Sequence, residues 1–281
     1  MKFLITGAGG QVATACEEII SKADHEAIAV SRDELDISNR DQTLNSIVAL
    51  KPDFVVNCAA MTNVDACESK VDEAFAVNSL GVRNLVQGCD LVSANLVHLS
   101  TDFVFDGRTD RPYSEFDLTN PLSVYAKSKL GGDNEALSYF NSTVLRVAWV
   151  YGNVKGDFFK WVIDGVQNGS IKNLIDDQTS TPTYSYDIAQ VVLKVCMQQI
   201  YGLINVANSG EATRLEMGKE ICELLNIDND LGPISEKELD RPAKRPNYSS
   251  LNTDLLKRTT GIVMRDWQET LNDYISRMKE V

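Results

Sequence analysis

The chain has 281 residues, 43% of them hydrophobic, which is enough for one large domain or two. Its formal net charge of −13 argues against general binding of DNA or RNA, because an acidic chain repels phosphate groups. No stretch approaches the roughly 20 apolar residues of a membrane helix, and the six cysteines, none with CxxC spacing, are expected to be free thiols of a cytoplasmic protein.

The first half of the chain alternates between strand and helix patterns. Strands are predicted at 2–6, 27–30, 54–57, 96–100 and 143–147, and helical patterns such as 11–21 and 71–86 lie between them. Short apolar strands joined by helices are typical of βαβ units. We therefore predict an α/β fold with a doubly wound parallel sheet of the Rossmann type.

The second half of the chain is less regular. It predicts a helix at 157–168, a polar stretch at 176–183, a helix at 185–199 and a strand at 202–207 that extend the sheet, and later helices around a proline-rich loop at 241–246. We expect a dinucleotide-binding domain at 1–151 and 185–208. A smaller C-terminal α/β substrate-binding domain is expected at 152–184 and 209–281, with the ligand cleft between the two.

A glycine-rich turn follows the first predicted strand and opens the first helix. Gly7 would allow the tight turn, and Gly10 would let the backbone approach a pyrophosphate bound on helix N–H groups. Ala13 stands where a third glycine is common. We therefore predict a dinucleotide site that includes Gln11 and Val12. The alternative is a plain tight turn.

The end of the second strand bears on the choice of cofactor. An acid there would bind the ribose of NAD, whereas an arginine accommodates a 2′-phosphate. Ser31 and Arg32 therefore favour NADPH, with NADH as the alternative, and we assign Asp36 and Ile37 to the same site. Arg32 as a solvated surface residue beside two acids is the competing interpretation.

A tyrosine and a lysine follow at helical spacing. Tyr125 and Lys129 are four residues apart and share one helix face, whereas Lys127 points elsewhere. A neighbouring ammonium lowers the pKa of a tyrosine from about 10 toward the working range, where it can transfer a proton.

Ser100 and Thr101 end a strand at the ligand-bearing edge of the sheet, where Thr101 can donate a hydrogen bond to a reacting oxygen. The combination indicates short-chain dehydrogenase chemistry, although YxxxK alone also fits a surface tyrosine.

Eight segments together resemble the dTDP-4-dehydrorhamnose reductase family over nearly the whole chain. They are GAGGQV at 7–12, NCAAMTNVD at 57–65, AVN at 76–78, STDFVFDG at 100–107, YAKSK at 125–129, RVAWVYG at 146–152, DQ at 177–178 with PT at 182–183, and RPNYS at 245–249. The resemblance implies NAD(P)H-dependent reduction of the 4-keto group of a dTDP-4-dehydro-6-deoxyhexose. The product implied is dTDP-L-rhamnose, a precursor for polysaccharide biosynthesis.

The resemblance also implies roles for individual residues. Tyr125 is the proton donor, Lys129 modulates it, and Thr101 binds the carbonyl oxygen. Cofactor contacts are implied for Ala59, Ala60 and Thr62, and substrate contacts for Asp102, Phe103, Val104, Trp149 and Arg245. Arg245 suits a diphosphate because its guanidinium offers a bidentate fork; the alternative is a charged loop residue.

The sequence departs from the family pattern at several positions. Phe103 replaces the usual tyrosine, and Met61 occupies a variable position beside the cofactor. Some family members are described as metal-bridged dimers that use a glutamate early in the first helix, where this chain has Thr14 and Ala15. No metal site is therefore predicted, and the oligomeric state stays open.

Three other functions compete with this interpretation. A reductase of another NDP-4-keto-6-deoxy sugar would differ only in a few pocket contacts. A non-catalytic NADP-binding regulatory subunit, as in relatives associated with methionine adenosyltransferase, would not need Thr101, Tyr125 and Lys129 together. Dehydratases of this superfamily usually carry an Asp-Glu pair beside the catalytic threonine, but here Phe103 follows Asp102, so a dehydratase or epimerase is disfavoured.

Overall fold

The computed structural model describes residues 1–152 and 158–280. In chain order its strands are β1 (Lys2–Thr6), β2 (Glu26–Val30), β3 (Phe54–Asn57), β4 (Asn95–Thr101), β5 (Ser142–Val147), β6 (Val150–Tyr151), β7 (Asn173–Ile175), β8 (Thr179–Ser180), β9 (Thr183–Tyr184), β10 (Gly202–Val206), β11 (Ala212–Thr213) and β12 (Gly232–Ile234). Its α-helices are α1 (Gln11–Lys22), α2 (Arg40–Leu50), α3 (Val64–Ser69), α4 (Val71–Phe75), α5 (Gly81–Val92), α6 (Val124–Leu137), α7 (Phe158–Gln167), α8 (Ser185–Gln198), α9 (Arg214–Leu224), α10 (Asp254–Thr260) and α11 (Trp267–Glu280).

The central sheet runs in the order β10-β5-β4-β3-β1-β2, and every pairing in it is parallel. Alternate side chains of β1 serve different cores: Phe3 and Ile5 pack in one cluster with residues of α1 and α8, and Leu4 packs in another with residues of α2 and α5. Both faces of the sheet are thus covered by helices, as a parallel sheet requires. The predicted doubly wound α/β fold is confirmed.

The direction of winding reverses next to β1. The chain runs from β1 outward to β2 and returns to place β3 on the other side of β1. Loops leaving the carboxyl ends of β1 and β3 therefore diverge and open a crevice, the usual ligand site of such sheets. The glycine turn after β1 and the segment 58–62 after β3 border this crevice.

One predicted helix has a different form. The range 71–86 is predicted as one α-helix, but the structure has α4, a π-helical turn at Ala76–Leu80, and α5 extending to Val92. The wider turn carries Asn78, which is buried, accepts a bond from Met61 N at 2.8 Å and donates to Ser128 Oγ at 3.0 Å. A periodicity count cannot detect such an inserted residue. The other predicted bounds agree within about two residues, and residue 157, the predicted start of α7, lies outside the described residues.

A separate hydrophobic core lies among the short strands and later helices. It contains Phe159 of α7, Ile221 of α9 and Leu271 of α11, with Tyr151 and Tyr184 from the paired strands β6 and β9. In contrast, β10 and α8 join the main sheet and its core. Leu256 of α10, within the segment 209–281, packs in the first core.

Within the described residues, no helix is long and apolar enough to cross a membrane. The same residues contain no cluster of three or more His, Cys, Asp or Glu side chains arranged as metal ligands.

Candidate active site

The turn after β1 has a geometry that only glycine adopts readily. Gly7 has φ +81°, and a Cβ atom there would lie 2.9 Å from both Ala59 N and Cys58 C. A side chain at this position would be strained by the dihedral angle and would also collide with the backbone after β3.

The beginning of α1 is open to a ligand. Gly10 precedes the helix, its N–H donates to Gly7 O at 3.1 Å, and no side chain caps the helix start. The first-turn N–H groups of Gln11 and Val12, both in the cavity wall, therefore meet the crevice at the positive end of the helix dipole. A dinucleotide pyrophosphate fits this arrangement.

A cavity of about 570 Å³ extends from this turn along the carboxyl edge of the sheet. It is lined by Gly9, Gly10, Gln11, Val12, Ala13, Cys58, Ala60, Thr62, Val64, Leu99, Ser100, Thr101, Asp102, Phe103, Tyr125, Lys129, Val147, Trp149, Val150 and Arg214. The three residues predicted to be catalytic thus meet in the cavity that the glycine turn borders.

Tyr125 and Lys129 enter the cavity from α6. Ser123 caps this helix by accepting a hydrogen bond from Ala126 N at 3.2 Å, which fixes the first turn on which Tyr125 lies. Lys129 is only 3% exposed, and its Nζ donates to Leu99 O of β4 at 2.6 Å. Lys127 is exposed on another face, as its spacing predicts.

The protonation of these groups differs in part from expectation. Burial lowers the pKa of Lys129 to about 8, while the charge of Asp133 acts in the opposite direction. Burial raises the pKa of the Tyr125 phenol above its usual value, and the Thr101 hydroxyl facing it only partly offsets this effect. The expected lowering by Lys129 is not present in this structure, because the Lys129 ammonium is directed at the Leu99 carbonyl.

Thr101 and Asp102 form the end of β4. The Thr101 hydroxyl donates to the Asp102 carboxylate at 3.1 Å and accepts from Phe103 N at 3.2 Å. Asp102 is buried and also accepts bonds from Ser180 and Ser249, which belong to later segments of the chain. Burial raises the pKa of Asp102 to about 6 despite these donors. Asp102 therefore links the catalytic strand end to segments that follow the sheet.

A second cavity of about 690 Å³ adjoins the first. Its lining is aromatic and basic and comprises Phe103, Trp149, Phe158, Trp161, Asn173, Leu174, Ile175, Gln178, Arg214, Ile234, Leu239, Arg241 and Arg245. Phe103, Trp149 and Arg214 line both cavities. Trp149 has φ +35°, which is rare for a bulky residue and typical of ligand sites that hold strain.

Several predicted binding residues lie away from both cavities. Arg32 is 65% exposed and forms ion pairs with Asp36 at 3.7 Å and Glu73 at 3.5 Å. Ser31 donates from both N and Oγ to Glu34 at 2.8 Å.

Two other predicted binding residues, Ile37 and Val104, have side chains that are buried in hydrophobic clusters. Their assigned ligand contacts remain predictions.

Arg245, the predicted diphosphate ligand, lies in the wall of the second cavity but already has anionic partners. Its guanidinium bonds both carboxylate oxygens of Asp65, at 2.7 and 3.2 Å, and lies 3.6 Å from Glu236.

Residues that the sequence did not indicate complete the walls. Phe158 and Trp161 come from α7, and Arg214 begins α9. The Thr213-x-x-Glu216 capping box signals the start of a helix there. It does not reveal that the helix points at a cavity built from distant segments.

The doubly wound parallel sheet, the glycine turn before an uncapped helix and the Thr-Tyr-Lys group in the adjoining cavity define a member of the extended short-chain dehydrogenase/reductase class. More specifically, the chain belongs to the RmlD family: the family model described as "RmlD substrate binding domain" matches residues 1–280. The family resemblance read from the sequence is confirmed.

Relatives of this family match over nearly the full chain. A dTDP-4-dehydrorhamnose reductase of Sinorhizobium fredii is 34% identical over 282 residues, covering 96% of this chain and 95% of the relative. The crystal structure of a dTDP-4-dehydrorhamnose reductase from Clostridium acetobutylicum is 38% identical, with a TM-score of 0.96 and coverage of 99% and 100%. That of a dTDP-4-dehydrorhamnose reductase from Bacillus anthracis in complex with NADP is 30% identical, with a TM-score of 0.95 and the same coverage.

Proposed function

We propose that this protein is an NADPH-dependent oxidoreductase that reduces the 4-keto group of a dTDP-4-dehydro-6-deoxyhexose, converting dTDP-4-dehydrorhamnose to dTDP-L-rhamnose. One observation carries the proposal: Thr101, Tyr125 and Lys129 face one cavity between a dinucleotide turn and a second, aromatic and basic cavity. A nicotinamide cofactor and a nucleotide sugar can meet there at a proton donor. Family membership and the dTDP-4-dehydrorhamnose reductases among its relatives support the choice of substrate.

The residues around the reacting carbonyl divide the chemistry between them. A bound reduced nicotinamide supplies the hydride for the carbonyl carbon, so negative charge develops on the carbonyl oxygen. Tyr125 donates a proton to that oxygen, and Thr101 turns its hydroxyl toward it and stabilises the charge. The Lys129 ammonium, which donates to Leu99 O in this structure, would favour the phenolate that remains if it turned toward the ring. The raised pKa of Tyr125 suits a group that holds its proton until this charge forms.

The remaining assignments from the sequence are part of the proposal. Gly7, Gly10 and the first turn of α1 bind the cofactor pyrophosphate. Arg32 breaks its ion pair with Asp36 or Glu73 and binds the 2′-phosphate of the cofactor instead. Arg245 donates to the diphosphate of the nucleotide sugar through the guanidinium N–H groups that do not bond Asp65 or Glu236. The segments 152–184 and 209–281 form the substrate-binding part, a division that the separate core supports. A cytoplasmic location is consistent with six cysteines that are all free thiols.

The proposal is tested by turnover. The purified protein is supplied with NADPH and dTDP-4-dehydrorhamnose, and the loss of nicotinamide absorbance and the formation of dTDP-rhamnose are followed together. NADH replaces NADPH in a parallel assay, and Arg32→Ala should lower the preference for NADPH without a matching loss for NADH. Equal loss for both cofactors would remove Arg32 from the 2′-phosphate site.

The same assay separates the competing functions. Faster turnover of another NDP-4-keto-6-deoxy sugar would assign a different sugar to the same site. Binding of NADPH without turnover of any such sugar would favour the non-catalytic subunit. Formation of a 4-keto product from a dTDP-hexose would indicate a dehydratase and contradict the proposal.

A further inference from the structure

Arg214 begins α9, and its guanidinium lies in the wall that the two cavities share. Thr213 and Glu216 cap the helix reciprocally, so the backbone that carries Arg214 is fixed locally. Its carbon Cζ lies 3.6 Å from the ring centroid of Trp149 and 4.7 Å from that of Phe158. Two aromatic rings thus hold the guanidinium at the junction.

Arg214 differs from the other two arginines of this wall because it has no carboxylate partner among the described residues. Arg241 pairs with Glu236 at 3.3 Å, and Arg245 pairs with Asp65 at 2.7 Å. In the part of the chain that the structure describes, Arg214 takes part in no ion pair.

The surroundings of Arg214 make this isolation costly. Burial lowers its pKa to about 9, and although the charge of Asp102 raises it, Arg241 and Arg245 lower it further. Arg214 is half-buried, and a partly desolvated cation without a carboxylate partner is better stabilised when an anion accepts hydrogen bonds from its guanidinium. The planar fork of a guanidinium matches the oxygens of a phosphate.

The position of Arg214 suggests which anion this is. The reacting sugar must reach Thr101 and Tyr125 in the first cavity, and the aromatic second cavity suits a nucleoside. The diphosphate joins these two groups and must therefore cross the junction. Of the three residues common to both walls, only Arg214 is charged.

We infer that Arg214 binds the diphosphate of the nucleotide sugar and so sets where the sugar lies relative to Tyr125. This inference rests on the proposed function for the identity of the ligand. Arg214 is then the main ligand of the negatively charged diphosphate. Arg245 lies in the wall of the second cavity and stays paired with Asp65 and Glu236.

The test compares ligands with and without the diphosphate. Binding of dTDP, thymidine and NADPH is measured by calorimetry for the full chain, for Arg214→Met and Arg214→Lys, and for Arg258→Met as a matched control. Arg258 is exposed on α10 and lines neither cavity. Arg214→Met should weaken dTDP about 10–100-fold, the range of a charge-assisted hydrogen bond. Thymidine and NADPH affinities should change by less than about 2-fold, and Arg214→Lys should fall between Met and wild type.

Two results would overturn the inference. One is an unchanged dTDP affinity in Arg214→Met; the other is an equal loss for dTDP and thymidine, which would make Arg214 a packing residue of the aromatic wall. Retained NADPH binding shows that the variant is folded. If dTDP binding depends on Arg214 but the protein does not reduce the keto sugar, the proposed function is refuted and the inference about Arg214 stands. Turnover with an unchanged KM in Arg214→Met would refute the inference alone.

Discussion

Tyr125 combines a half-buried position with a phenol whose pKa burial raises above the usual value. If it is the proton donor, Tyr125→Phe removes one hydroxyl and should lower kcat about 10²–10⁴-fold, the usual contribution of positioned proton transfer. NADPH affinity should be nearly intact because the ring still fills its place. Steady-state kinetics and cofactor titration check both. Lys127→Met, on the exposed face of the same helix, is the matched control; near-normal turnover by Tyr125→Phe would exclude Tyr125 as the acid.

Lys129 should lower the free energy of unfolding of the protein at neutral pH. Its folded-state pKa of about 8 lies below the ordinary value of 10.5, so the buried ammonium opposes folding at neutral pH. This difference corresponds to a penalty of about 3 kcal/mol, fully present below pH 8 and lost as the pH rises toward 10.5. Active-site residues often carry such a cost.

Lys129→Met should therefore stabilise the fold at pH 7 by about 1–3 kcal/mol, less the bond lost at Leu99 O, while abolishing most turnover. Denaturant unfolding at pH 7 and pH 10 measures the difference. The advantage of the variant should shrink at the higher pH. A variant that is less stable than wild type at pH 7 would show that the ammonium is well solvated.

At the scale of residues, the sequence indicates which side chains form the site but not their protonation. The four-residue spacing places Tyr125 and Lys129 in one cavity, because helix geometry is local. The pKa shifts depend on burial beneath β4 and on Asp133, neither of which the spacing reveals. Arg214 has no motif, since its partners Trp149 and Phe158 are more than 50 residues away in the chain.

At the scale of elements, the turn between β1 and α1 is set by two separate constraints. Gly7→Ala adds both the strain of φ +81° and a Cβ contact of 2.9 Å with the backbone after β3. Gly9 has φ +83°, but no atom lies within 4 Å of the place that a Cβ would occupy, so Gly9→Ala adds the strain alone.

Gly9→Ala should cost about 1–2 kcal/mol of unfolding free energy, the usual penalty of a left-handed alanine. Gly7→Ala should cost clearly more, because β1 and β3 must separate to admit the methyl group. Denaturant unfolding without cofactor measures both. Equal losses would mean that the backbone after β3 yields easily and that only the dihedral angle matters at Gly7.

Elements with a regular period are the ones that the sequence predicts well. The strands of the main sheet follow from apolar runs, and α1 and α8 follow from helical periodicity, because both are local signals. The π-helical turn at Ala76–Leu80 could not be predicted, since its extra residue serves the contacts of Asn78 with distant Met61 and Ser128. The two-residue strands β6, β8, β9 and β11 carry no period at all and depend on their pairing partners.

At the scale of the whole molecule, the site depends on side chains that connect the sheet domain to later segments. Ser180 and Ser249 bond Asp102 at the end of β4, and Asp65 of α3 bonds Arg245 in the proline-rich loop. These contacts bring residues separated by 78 to 180 positions to one cleft. Sequence reasoning could predict a cleft between two parts, but not which side chains bridge it.

The bridge between Asp65 and Arg245 allows two roles for Arg245 to be separated. If Arg245 contacts the diphosphate, Arg245→Ala should raise KM for the sugar nucleotide about tenfold or more while leaving NADPH affinity unchanged, because one charge-assisted bond is lost. If it only ties the loop to α3, removing either partner should have the same effect. Asp65→Asn keeps the guanidinium and removes its carboxylate, so a ligand role predicts a KM equal to or below that of wild type. Steady-state kinetics on both single variants and the double variant decide, since equal effects that do not add indicate a structural bridge. A selective loss in Arg245→Ala would instead give the diphosphate a second arginine at the rim of the junction.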